Sequence, residues 1–243
     1  MAHSNFFSTF AAEYNKIIQM KNRLLVFALL MMASVTCQAQ LFTFQADTIA
    51  SVWQYIGERN DKKYDLKNGK LRLYGDIYAL NEQGHPFTCA CQTVPDSLFT
   101  FETKMTMMDV DNADEGGILL YRSPQAYVQC YMNNNRSDVR LRLRLQLYTQ
   151  QVVLENLSIG LGHQDLWLRI APGKDSPSYE FSYSFDGKQY QHVGNVDYRL
   201  LSNIVTQSDA KLQAGIYCFA GSGRYNAGYP YADFEYVDIQ QIN

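Results

Sequence analysis

The sequence has no apolar run long enough to cross a bilayer as a helix: its longest, Leu24 to Val35, holds twelve residues where a span needs about twenty. It has no excess of positive charge, with 21 Lys and Arg against 24 Asp and Glu, so nothing is available to hold a polyphosphate and nucleic acid is not an expected partner. No Ser- or Pro-rich linker interrupts residues 41–243 and no fixed-period repeat is present, which argues for one domain and against a propeller or solenoid. No Gly-rich phosphate loop opens a helix; Gly221-Ser222-Gly223-Arg224 follows a strand pattern instead. His85, His163 and His192 are scattered, with no Ser, Cys and carboxylate at a triad spacing. What is present is a globular composition, 47% hydrophobic and 14% aromatic, able to build a core without metal or disulfide.

The short apolar run reads as the core of a secretory signal peptide. Lys21 and Arg23 precede it, and Cys37-Gln38-Ala39 places small residues before a cleavage point at Gln40. Residues 1–19 are long for the charged segment of such a leader, and Met20 is the more ordinary start. Ser34-Val35-Thr36-Cys37 departs from a lipidation motif by Thr36, so secretion or periplasmic location is expected ahead of a lipid-anchored surface protein. Without residues 1–39 the net charge falls from −3 to −5, because three basic residues and one acidic residue go. Cys89, Cys91, Cys130 and Cys218 then meet an oxidising compartment. Three pairings are open to them, and so is the state of four buried thiols.

Beyond the leader the apolar residues alternate, and helical periodicity is almost absent. In Val139 to Tyr148 the leucines 141, 143, 145 and 147 share one face while Arg140, Arg142, Arg144 and Gln146 share the other. Tyr179 to Phe185 alternates likewise and meets Asp186-Gly187, a hairpin turn with Gln189 to Val193 as the returning strand. Further strands are expected at 71–74, 98–108, 117–122, 126–132, 152–156, 166–170, 213–219 and 234–239, with Lys67-Asn68-Gly69-Lys70, Asn133-Asn134-Asn135 and Ala171-Pro172-Gly173-Lys174 as turns between them. Many short strands without intervening helices imply an all-β, two-sheet antiparallel sandwich of jelly-roll type over residues 40–243.

Several segments carry a family resemblance in order. Val52-Trp53-Gln54-Tyr55-Ile56, Tyr64-Asp65-Leu66 and Gly69-Lys70-Leu71-Arg72-Leu73 come first, then Phe99 to Thr103 with Glu115-Gly116-Gly117-Ile118. Leu168-Arg169-Ile170, Tyr179 to Ser184, Leu212 to Phe219 and Ala232 to Tyr236 complete the set. Together they resemble the concanavalin A-like sandwich C-terminal in glycoside hydrolase family 43 β-xylosidases. The resemblance implies a free-standing accessory domain, because the leader runs into the sandwich without the family's catalytic propeller. It departs at Cys89-Ala90-Cys91-Gln92, where the family usually carries two arginines before the Gln.

A polysaccharide or oligosaccharide of the plant cell wall, xylan or arabinan in class, is the ligand this resemblance implies. Two groupings suit it. Asp165, Trp167 and Arg169 should stand together opposite Leu166, Leu168 and Ile170, with Arg142 and Arg144 extending that surface if the strands are neighbours. The loop with Tyr225, Tyr229 and Tyr231 offers rings and hydroxyls in a setting of Gly, Asn and Pro. Trp53 is expected in the core. The cluster Asp109, Asp111 and Asp114 reads as a solvated loop with calcium as its rival reading, and no other cofactor is implied. Two further functions remain open: docking on a separately encoded glycosidase, and hydrolysis by a pair such as Asp109 or Glu115 with Asp233.

Overall fold

The computed structural model describes residues 39–242 apart from 46–47, 50, 83, 97, 109–112, 136–137, 161–164, 175 and 222–229. The expected leader, as far as residue 38, lies outside the described residues. Gln38–Ile242 forms a compact unit of its own. Its strands are β1 (Ala39–Thr43), β2 (Tyr64–Lys67), β3 (Lys70–Tyr74), β4 (Cys89–Thr93), β5 (Phe99–Met108), β6 (Asp114–Ser123) and β7 (Ala126–Asn135). They continue with β8 (Asp138–Leu147), β9 (Gln150–Ser158), β10 (Asp165–Pro172), β11 (Ser178–Ser184), β12 (Gln191–Asp197), β13 (Gln213–Ala220) and β14 (Tyr231–Gln241). The strands pair antiparallel into two sheets, as the alternation implies. The first runs β12-β11-β10-β5-β14-β3-β2, with β1 beside the far half of β14; the second runs β4-β13-β6-β7-β8-β9. No helix among the described residues is long and apolar enough to cross a membrane.

The core lies between the sheets and follows the period of two. Leu166, Leu168 and Ile170 of β10 are fully buried, and so are Leu141 and Leu143 of β8. Phe99, Phe101, Phe181 and Phe234 fill the same layer. Trp53 is in the core, as expected, with the rings of Phe42 and Phe44 at 5.0 and 5.8 Å. Asn68 and Gly69 both have positive φ, which is the geometry a two-residue β2–β3 hairpin needs. The expected turn at Asn133-Asn134-Asn135 is instead the end of β7, paired with β8 as far as Asn135 opposite Asp138. Ladder hydrogen bonds to a partner strand outweigh the turn preference of asparagine there.

A second apolar cluster lies outside the second sheet. Leu80 and Phe87 cover Cys89, Cys91, Leu119, Tyr127, Tyr131 and Tyr217. The segment 76–88 is laid over the sheet by a bridge between Asp76 and Phe219. All four cysteines of the unit are free and buried.

Candidate functional site

The two outward faces of the sandwich differ in chemistry. On the first sheet Asp165, Trp167 and Arg169 share the outward face, as their alternation with buried residues requires. Each is already engaged. Thr106 donates to Asp165 at 2.7 Å, and Lys104 Nζ lies 4.8 Å from the Trp167 ring centre. Gly187 sits against the indole edge, so close that a Cβ there would be 2.8 Å from Trp167 Nε1. Arg169 donates to Glu102 at 2.8 Å and stacks 3.5 Å over the Tyr190 ring. The lattice continues through Glu235, which accepts from Lys104 at 2.7 Å and Lys70 at 2.9 Å, and through Arg72, bidentate to Asp233 at 2.7 Å. Tyr231 is on this face too, its ring 3.7 Å beneath the Arg72 guanidinium. Burial raises the Glu102 carboxyl, but hydrogen bonds from Tyr236 and Arg169 outweigh it and hold the group below the ordinary glutamate range.

Arg142 and Arg144 do not extend that strip. β8 belongs to the second sheet, so both arginines point out from the opposite side of the sandwich. Alternation says which residues share a face of one strand; it does not say which strands share a sheet. There Arg144 reaches across β7 to Glu115, bidentate at 2.9 and 2.6 Å, takes Gln129 as a second acceptor, and lies 4.7 Å over the Tyr131 ring. Tyr217 donates to Glu115 at 3.3 Å. Burial dominates at Glu115 and pushes its carboxyl above the ordinary range despite the guanidinium. Arg142 is more open and donates to Asn156 at 3.2 Å.

Glu115 and Asp233 therefore make no acid–base pair. Gly116 next to Glu115 faces inward, where a Cβ would touch Met107 at 3.0 Å, so Glu115 points outward from the second sheet. Asp233 lies between the buried Ala232 and Phe234 and points outward from the first. Packed sheets are about 10 Å apart before either side chain is added. Glycosidase carboxyl groups stand roughly 5–9.5 Å apart across one sugar bond.

Two packed antiparallel sheets agree with a concanavalin A-like sandwich, and the family described as the β-xylosidase C-terminal concanavalin A-like domain matches residues 42–240. The chain belongs to this family. The family 43 protein BlXynB of Bacillus licheniformis superposes with a TM-score of 0.72 at 20% identity, covering 83% of this chain and 39% of that one. A xylan β-1,4-xylosidase of Bacillus halodurans gives 0.72 at 17% identity, again with 83% and 39% covered. The chain thus spans about two fifths of these enzymes. A functionally unknown protein of Saccharomyces cerevisiae gives 0.52 at 14% identity, with 79% of this chain and 94% of that one covered. No curated protein matches the chain.

Within this family domain the remaining expected sites are placed as follows. Tyr225, Tyr229, Asp109 and Asp111 lie outside the described residues, and Asp114 is buried at the start of β6. Among the described residues no group of three His, Cys, Asp or Glu could hold a metal. His85 stacks on Tyr78 at 4.1 Å, and His192 lies 3.9 Å from Glu180. Cys89 and Cys91, the expected departure from the family pattern, lie in the apolar cluster outside the second sheet. That end of the face is therefore apolar here. Asn81, Gln125, Tyr148, Thr149 and Gln151, which form no motif in the sequence, converge at the other end. Their signal was the pair of short turns, Pro124-Gln125 and Tyr148-Thr149, between strongly alternating runs.

Proposed function

We propose that this chain is an exported accessory module that binds plant cell-wall polysaccharide of the xylan or arabinan class and serves glycan degradation without catalysis of its own. The observation that carries this reading is the family match over residues 42–240, together with solved enzymes of which the chain covers about two fifths. Structure supports the non-catalytic part, since Glu115 and Asp233 face away from each other and each is held by an arginine. It also favours the second sheet as the binding side. The Trp167 strip of the first sheet is closed by its own ion pairs, whereas the second sheet presents planar amides, Arg142 and the Tyr148 ring. Export rests on the leader pattern of residues 20–39.

Affinity electrophoresis of the 38–242 unit through gels cast with xylan, with arabinan and without polysaccharide tests the reading. Retardation by one polymer is expected. Equal mobility in all three gels overturns binding and moves the role to docking on a separately encoded glycosidase.

A further inference from the structure

Three backbone segments meet at one end of the second sheet: the β6–β7 turn, the β8–β9 turn and the covering segment 76–88. Between them lies a cleft of about 390 Å³ lined by Asn81, Gln125, Gln146, Tyr148, Thr149 and Gln151. None of these side chains is charged. The volume sits in the lower part of the range of small-molecule sites, ~300–1,000 Å³, which suits a short stretch of a chain ligand.

The cleft is held open by its own backbone. Tyr148 donates its N–H to the Gln125 carbonyl at 2.7 Å, tying the two turns together. Gln146, buried beneath, donates through Nε2 to the Tyr148 carbonyl at 2.7 Å. Tyr148 has φ +53°, a left-handed conformation rare for an aromatic residue. Its hydroxyl donates to the Val205 carbonyl, so the ring is anchored at both ends while 45% of the residue stays exposed. Leu147 pairs with Gln150, so Tyr148 and Thr149 form the two-residue β8–β9 turn that this conformation serves, and the turn sets the direction of the ring. Among the described residues the carboxamides of Asn81 and Gln125 and the hydroxyl of Thr149 make no side-chain hydrogen bond, although all three line the same cleft.

We infer that this cleft is a subsite for an uncharged saccharide, with hydroxyls bonded by Asn81, Gln125 and Thr149 and an apolar sugar face against Tyr148. A carboxamide offers a donor and an acceptor on one planar group, which suits a sugar hydroxyl that must both give and take a hydrogen bond. A ring with an exposed face provides contact area at low entropic cost. The absence of a cation in the lining disfavours a uronate or a phosphate. This assignment deepens the polysaccharide-binding reading and rests on it.

The test is titration calorimetry of the 38–242 unit with xylohexaose, arabinohexaose and an oligogalacturonate, repeated on the double variant Asn81→Ala, Gln125→Ala. Both side chains are exposed and unbonded, so the variant is expected to melt with the parent. A neutral hexaose should bind the parent, and the variant should bind it about tenfold more weakly, as the loss of one or two hydrogen bonds predicts. Binding that the double variant leaves unchanged overturns the cleft while the binding reading stands. A parent that binds neither neutral hexaose overturns both. Oligogalacturonate bound as tightly as the neutral sugars overturns the uncharged specificity.

Discussion

Glu115 on β6 and Arg144 on β8 are separated by a whole strand, yet they close a bidentate ion pair across β7 on the outward face of the second sheet. Both are largely buried, with 8% and 15% of their side chains exposed. A pair in that setting adds little net stability but is costly to break, because the surviving charge has lost its water.

Arg144→Met is therefore expected to cost about 3–5 kcal/mol at neutral pH. Glu115→Gln should cost less, since burial already disfavours the charged carboxyl. The sign with pH follows from the raised pKa. The folded state holds the Glu115 proton more tightly than the unfolded chain, so this group's contribution is present below the ordinary glutamate pKa and lost as pH rises through the raised one. Urea unfolding of both variants from about pH 5 to pH 8 checks it, and the Arg144→Met deficit should shrink towards acid.

Glu102 works in the opposite direction. Its net pKa is lowered, so its contribution is present above the ordinary glutamate value and lost as pH falls through the lowered one. Glu102→Gln should flatten the acid limb of a melting-temperature profile between about pH 3 and pH 6. An unchanged limb would show that the bonds from Tyr236 and Arg169 contribute nothing.

Gly187 closes the β11–β12 turn at φ +70°, with the Ser184 hydroxyl accepting its N–H at 3.0 Å. Gly187→Ala should lose about 1–2 kcal/mol from backbone strain alone. The added methyl would also press on Trp167, so a shift in indole fluorescence should accompany the lower urea midpoint.

Trp167→Ala separates the two faces as binding surfaces. Its ring lies against Lys104 and Gly187, and the variant is expected to keep its retardation in polysaccharide gels. Lost retardation with an intact fold would return the binding site to the first sheet.

The thiols should be unreactive in the folded unit. The hydrogen bond to Cys89 and burial raise Cys91, burial alone pushes Cys130 up to about 12, and burial with the nearby Asp114 charge raises Cys218. A chromogenic disulfide reagent should titrate none of the four before denaturation and all four after it. Fewer than four in denaturant would reveal a bridge.

The legible parts of this fold were those governed by local periodicity. The leucines of β8, the core side of β10 and the Asp186-Gly187 turn follow from side chains that alternate every residue and from a turn that needs positive φ. Asp165, Trp167 and Arg169 came out on one face for the same reason. β1 and β2 were harder to see, because β1 is mostly exposed and β2 is only four residues long. The shared surface expected of Trp167 and Arg144 fails on sheet membership, which no single strand encodes.

The sequence by itself thus determined the strand-rich sandwich, the sides of its strands and the family, since each is written in short-range alternation and ordered motifs. Only the tertiary structure decided what those sides meet. It put Glu115 with Arg144 rather than with Asp233, covered Cys89 and Cys91 with Leu80 and Phe87, and drew Asn81, Gln125 and Tyr148 around one cleft. These are contacts between residues far apart in the chain, and they exist only once strand order and sheet assignment are chosen by burial of the common core.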